Sequence, residues 1–209
     1  GGVVDSATGH VDHPRLGWVD APVGPVLAQT LGLPVSLASH VDAMAGAELL
    51  LGARRSAAAA ESATSLYVYA RETVGYALSI GGKVHSPASG PGTISGLPAQ
   101  SELLGGSGRL ETTVSDEAVL AAARKQRIVP AEGPSSTIAA VLRAARSGNT
   151  AAVELLAERA RVLGGAVALL RDLLNPDDLV VGGQAFSEYP EGLPLVEHAF
   201  AERTVLGVR

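Results

Sequence analysis

Up to about Ile80 the apolar residues fall mostly in short bursts, and beyond Ser115 they recur every three to four residues. The first rhythm predicts strands and the second predicts helices. Gly2–Asp5 and Gly9–Val11 read as two short strands around the turn Asp5-Ser6-Ala7-Thr8-Gly9. Pro14–Trp18 reads as a connection. Val23–Gly32 is predicted as a helix closed by Gly32, and Pro34–Ala38 as an apolar strand. His40–Gly52 is a second helix, with Met44, Ala47 and Leu51 as its recurring apolar positions. Arg54–Thr64, rich in Ala, Ser and Glu, is predicted as a surface connection. Ser65–Ala70 and Val74–Ile80 are predicted strands, the second followed by a Gly81-Gly82-Lys83 turn. From Val84 to Gly108 prolines and glycines punctuate a stretch without periodicity. A loop system of that length inside a compact domain is usually functional.

The second half is predicted to be mainly helical. Ser115-Asp116-Glu117 caps a helix to about Arg127, with its acidic residues on the positive end. Pro134-Ser135-Ser136 starts another that ends near Gly148. Thr150 caps a long helix to Leu174, along which Val153, Leu156, Ala160, Leu163, Val167, Leu170 and Leu174 form one stripe. Asn175-Pro176 stops it, because proline lacks an N–H and pushes its predecessor out of the helical region. Leu179–Val181 follows as a short buried strand, then Gly182-Gly183, and a last helix covers Leu193–Arg203. There is no internal repeat.

Composition narrows the chemistry. The 209 residues are 46% hydrophobic and 3% aromatic, which suits small aliphatics packed between helices and a sheet. With no cysteine there is no disulfide, thiolate zinc site or thiol nucleophile. A net charge of −5 offers no global field for nucleic acid or anionic lipid. No apolar run approaches the roughly 18 residues that span a bilayer, and the start Gly1-Gly2-Val3-Val4-Asp5 has no signal-peptide pattern. The expected compartment is the cytoplasm. His10 and His13 stand three apart without further ligands nearby. Neither G-x-S-x-G nor H-E-x-x-H occurs. The short basic run Arg124-Lys125-Gln126-Arg127 sits where cations complement a helix dipole.

Four stretches carry a resemblance. Arg15-Leu16-Gly17-Trp18-Val19-Asp20 is similar to an N-x-G-W-x-D/N pattern. Leu31-Gly32-Leu33-Pro34-Val35, with a helix ending Ala47-Glu48, is similar to L-G-x-P-V followed by an N-D-x-N-x-x-x-x-x-E helix. Glu102–Ser115 keeps the frame C-x-C-G-x-x-G-C-x-E-x-x-x-S through Gly105, Gly108, Glu111 and Ser115. Leu174–Gly183 is similar to L-x-P-x-x-I-V-I-G-G. In this order they resemble the ROK family of sugar kinases and sugar-responsive repressors over nearly the whole chain. The resemblance implies an α/β, actin-like (hexokinase/ribonuclease H-like) ATPase fold, held in part with most of the second lobe. Residues 1–39 would be the end of the first lobe and 40–209 the second. The phosphate-loop segment of D-x-G-G-T type, and any winged helix–turn–helix, would lie outside this chain.

The resemblance also assigns positions. The family's catalytic aspartate falls at His40, beside Ser39 and two before Asp42. A neutral histidine can serve as a base near pH 7; the plainer reading is a helix start with Ser39 or His40 as cap and Asp42 favouring the positive end. The phosphate glycines of G-T-G-I-G-x-G fall on Arg71-Glu72-Thr73-Val74-Gly75-Tyr76-Ala77, where Gly75 alone is kept. Sugar-contact positions fall on Arg15, Thr93 and Glu111, of which only Glu111 keeps the family residue. The four zinc-ligand positions fall on Gly96, Glu102, Leu104 and Arg109, none of them Cys or His. Zinc is therefore not expected, and packing of Leu103, Leu104 and Leu110 would hold the loop.

These losses point to a ROK-type transcriptional regulator whose domain senses an effector and oligomerises without kinase activity. Such a chain calls for no cofactor and no membrane. Its expected partners are a second copy, most simply as a homodimer, a sugar or sugar-phosphate effector, and DNA through an N-terminal domain not present here. The alternatives are a sugar kinase, phosphorylating a hexose or amino sugar from ATP with an altered site, and an assembly domain without a ligand.

Overall fold

A computed structural model describes residues 2–52, 63–87, 92–183, 186 and 189–205. Local chemistry sets most element ends. Asp5 Oδ1 accepts the N–H groups of Ala7 (2.9 Å) and Thr8 (3.3 Å), and Gly9 takes a positive φ, which turns β1 (Val3–Asp5) into β2 (His10–His13). The strands pair antiparallel with Val4 opposite Val11. A turn of 3-10 helix at Pro14–Leu16 leads to β3 (Trp18–Ala21), which pairs antiparallel with β2 through an irregular register. This third strand replaces part of the expected connection; with Val19 83% exposed, it has no buried face to betray it. A second sheet has the order β6-β5-β4-β7, built from β4 (Thr64–Ala70), β5 (Val74–Ile80), β6 (Lys83–His85) and β7 (Asp178–Gly182). Gly81 and Gly82 both have positive φ between the paired residues Ile80 and Lys83, as a two-residue hairpin demands. β6 was not anticipated, because three residues are too few to show alternation.

The chain divides into two compact units. The first comprises Gly1–Tyr67, Gly75–Gly92 and Pro176–Val180. It contains α1 (Val23–Leu31), closed by Gly32 in the left-handed region, and α2 (His40–Leu51). The Gly24 N–H donates to the Gly9 carbonyl (2.8 Å), and a Cβ on Gly24 would stand 3.0 Å from Gly9 Cα, so α1 starts backbone against backbone on the β1–β2 turn. The expected strand at Pro34–Ala38 is irregular chain: a strand exists only through a ladder partner, and none of the described strands pairs with it. The buried face of α2 is also not the expected one. Val41, Asp42 and Ala45 are buried, whereas Met44, Ala47 and Leu51 are exposed. Nearly all of the predicted connection Arg54–Thr64 lies outside the described residues; Thr64 opens β4.

The second unit comprises Val68–Val74, Thr93–Asn175 and Val181–Arg209. It holds α3 (Leu110–Val114), α4 (Asp116–Lys125), α5 (Ile138–Arg146), α6 (Thr150–Leu174) and α7 (Leu193–Arg203). Ser115, Thr137 and Asn149 cap α4, α5 and α6 by accepting the N–H of Ala118, Ala140 and Ala152. α5 thus starts just after the expected Pro134-Ser135-Ser136, and the cap of α6 is Asn149 rather than the expected Thr150. α6 ends on Asn175 in the left-handed region, one residue before Pro176. Val119, Ala123, Val141, Leu142 and Leu155 form the centre of the helical core. Along α6 the expected stripe is buried from Leu156 to Leu170, while Val153 and Leu174 are exposed at its ends. Gly164 brings α7 close: a Cβ there would meet the Val196 carbonyl oxygen at 2.7 Å.

Candidate functional site

The segment that would carry a structural zinc is held by its own backbone. The Ala99 N–H donates to the Gly108 carbonyl (3.1 Å), Leu110 N–H to Leu97 (2.8 Å) and Glu111 N–H to Ser95 (3.1 Å), around a bridge between Pro98 and Arg109. Thr112 and Thr113 hydroxyls donate to the Arg109 carbonyl, and Ser101 Oγ accepts the Leu104 N–H. Leu104 and Leu110 are buried at 5% and 0%, so packing does contribute; Leu103, expected with them, is 37% exposed. The residues that the resemblance puts at the ligand positions do not fit a zinc ion. Gly96 has no donor, Leu104 is in the core, and Glu102 and Arg109 are exposed. Among the described residues no group of three His, Asp or Glu side chains could hold a metal. The melting temperature is expected to be the same with and without EDTA, and elemental analysis should find less than one zinc per chain; a large chelator-induced drop would refute this account of the loop.

Two of the expected ligand contacts meet on one residue. Glu111 Oε2 accepts the Val74 N–H (3.3 Å), and Thr93 Oγ1 donates to the Val74 carbonyl (3.5 Å). Val74 follows the tight turn in which the Arg71 N–H donates to the Thr73 carbonyl (3.0 Å), and the Arg71 carbonyl accepts the Asp116 N–H (2.7 Å). The family resemblance puts the phosphate glycines on these residues. Backbone N–H groups must be free and closely approachable to cradle phosphate; here the Val74 N–H is taken by a carboxylate from the same chain. Glu111→Ala is expected to cost about 1–2 kcal/mol, a lost hydrogen bond to a charged group, with Glu111→Gln recovering part of it in urea unfolding.

The remaining expected positions lie in the first unit. His40 is the first residue of α2 and is exposed; the cap is Ser39, whose Oγ accepts the Asp42 N–H (3.1 Å). Asp42 is buried at 8% exposure and accepts the Ser86 hydroxyl through Oδ2 (3.3 Å). Ser86 was missed, because a serine within a Pro/Gly-rich stretch carries no periodic signal. Arg15 lies in the 3-10 turn after β2, and its side chain is outside what the structure describes.

Another residue that sequence reasoning missed is Arg159. It is 1% exposed in the middle of α6, with Nη2 2.8 Å from Asp116 Oδ1 and its guanidinium 6.0 Å from the Phe186 ring. The approach to Asp116 falls outside hydrogen-bond angles, and among the described residues Nε, Nη1 and Nη2 have no hydrogen-bond acceptor. Burial pulls the guanidinium below its ordinary range, and the carboxylate of Asp116 opposes that pull. Its signal was in the sequence: Arg159 falls in the same helical arc as Leu155, Leu156 and Leu163.

Residues 1–204 match the model of the ROK family, and the chain belongs to that family. Over its whole length it is 71% identical to a protein of Mycobacterium bovis named as a transcriptional regulator, and equally to two of the same designation from strains of Mycobacterium tuberculosis. It covers 49% of each, so the chain spans about half the length of the curated relatives it matches. Among solved structures it is similar to a ROK family transcriptional regulator described as a homologue of the E. coli MLC protein (25% identity, TM-score 0.78, 98% of this chain and 53% of that one). A ROK family glucokinase from Streptomyces griseus, in complex with glucose and AMPPNP, aligns at 22% identity and TM-score 0.81, over 99% of this chain and 70% of that one. The fold is therefore the actin-like, hexokinase-type α/β class, of which this chain holds a part. No helix among the described residues is long and apolar enough to cross a membrane.

Proposed function

We propose that this chain is the effector-sensing and oligomerising part of a ROK-type transcriptional regulator and does not transfer phosphoryl groups. The observation that carries the reading is the 71% identity, over all of this chain, to proteins named as transcriptional regulators. The hydrogen bond between Glu111 and Val74 supports it from the chemistry, since it consumes a backbone donor at the phosphate-glycine positions. Exposed His40 at the position of the catalytic aspartate points the same way. In this reading residues 1–39 close a first lobe and residues 40–209 form most of a second. A segment outside this chain reads DNA, two copies associate, and the protein works in the cytoplasm. Its effector is a sugar or sugar phosphate, and the candidate contact residues are Arg15, His40 and Asp42 in the first unit and Thr93 and Glu111 in the second.

The test uses the full-length protein. Selective retention of promoter DNA in a gel-shift assay, altered by a hexose or hexose phosphate, is the expected result. ATP turnover with hexoses or N-acetylated amino sugars, abolished by His40→Ala, would replace the regulator with the sugar kinase.

A further inference from the structure

Away from the positions discussed so far, the second unit carries a cavity of about 380 Å³ along α6. Arg161, Arg203 and Gln100 line it together with Gly165 and an apolar wall that includes Leu97 and Leu169. The two arginines are in different states. Arg161 is committed: Glu158 accepts from its Nε (2.7 Å) and Nη2 (2.6 Å). That pairing, with a further hydrogen bond from Ser101 and the nearby charge of Arg203, holds the Glu158 carboxyl below its ordinary range against the pull of burial. Arg203, by contrast, is exposed and makes no hydrogen bond or close ion pair among the described residues, although its charge acts on Glu158 from a distance. It lies against the α6 backbone where Gly165 has no side chain; a Cβ there would stand 2.6 Å from Nη1. The bare glycine thus makes room for a guanidinium whose donors meet no acceptor among the described residues.

Two guanidinium groups against one carboxylate leave the cavity with a formal charge of +1. A guanidinium presents its donors in a planar fork that matches carboxylate or phosphate oxygens. A concave surface of this volume that sets charged and polar groups beside apolar side chains is suited to a small molecule carrying both kinds of group. We propose that this cavity binds a small organic oxyanion, a carboxylate or phosphate ester with an apolar flank, and that Arg203 is its anion-binding residue. The anion meets Arg203 while Leu97 and Leu169 cover its less polar face. The proposal is independent of the regulator reading, because it concerns binding alone and uses none of the positions assigned there.

Calorimetric titration of the full-length protein with benzoate, glucose 6-phosphate and inorganic phosphate tests it, the first two separating carboxylate from phosphate-ester chemistry. Saturable binding of either organic anion is expected. Arg203→Gln should weaken it about tenfold or more, the loss of a hydrogen bond between charged groups, and Arg203→Lys should weaken it less. Gly165→Ala should also weaken binding, by displacing the guanidinium, and circular dichroism confirms that each variant folds. The proposal is overturned if neither organic anion binds at up to about 10 mM, if inorganic phosphate binds as tightly as both, or if folded Arg203→Gln binds as well as the parent.

Discussion

Asp116→Ala is expected to lower folding stability by about 3–5 kcal/mol, the range for removing one partner of a buried ion pair. The cost comes from what is left behind. Arg159 is 1% exposed, and its nitrogens have no hydrogen-bond acceptor among the described residues, so the nearby carboxylate is the main compensation for its desolvation. The Phe186 face at 6.0 Å adds a weaker cation–π attraction. Asp116 also begins α4 next to its cap Ser115, and its N–H is tied to the Arg71 carbonyl. Losing the carboxylate therefore frees a buried charge and weakens the helix start in one step. Arg159→Met, which replaces the charge by an apolar chain, should cost much less, and the double variant should recover most of the Asp116→Ala loss. Urea unfolding of the four proteins decides it. An Asp116→Ala variant within about 1 kcal/mol of the parent, below the range for a broken buried pair, would show that the pair is not carrying Arg159.

The contrast between caps and faces explains what could be read from the residues alone. Gly32 and Ser115 were legible, and the cap of α6 was read one residue late, because a cap is local: a side chain or a positive φ acts within a few residues of the helix end. The family stretches were legible because they are also contiguous. A helix's buried arc is a different kind of fact. Along α2, Met44, Ala47 and Leu51 have the right spacing yet are exposed, while Val41, Asp42 and Ala45 are buried. Spacing proves a helix, but its neighbours choose the buried face, and Asp42 is tolerated inside because its carboxylate accepts the Ser86 hydroxyl, while its backbone N–H is capped by Ser39. Pro34–Ala38 failed for the same reason, since a strand is defined by a partner that local apolarity cannot supply. Within the candidate site, the loss of the family ligands was visible in Leu104 and Arg109. What replaces them was not, because the bonds between 95–99 and 108–111 use backbone atoms and leave no side-chain signature.

Gly182-Gly183 entered as a family marker, and the structure supplies a physical reason for its second glycine. Gly183 follows β7 with φ at +133°, a region that L side chains rarely adopt. A Cβ there would collide with the Ala70 carbonyl oxygen, 2.9 Å from its carbon and 3.3 Å from its nitrogen. Ala70 is fully buried at the end of β4, so the obstruction is backbone that no rotamer change can clear. Gly183→Ala therefore combines backbone strain with overpacking and is expected to cost about 3 kcal/mol or more. That is a large share of the roughly 5–15 kcal/mol by which domains are stable. Gly96→Ala is the matched control, because a Cβ at Gly96 meets nothing within 4 Å and its φ is not in the left-handed region. It should stay within about 0.5 kcal/mol of the parent. If denaturant unfolding finds the two variants equally stable, the close approach of Gly183 to Ala70 is not a constraint of the fold. If Gly183→Ala alone collapses, the glycine is required by the backbone crossing, and its presence in the family pattern needs no ligand to explain it.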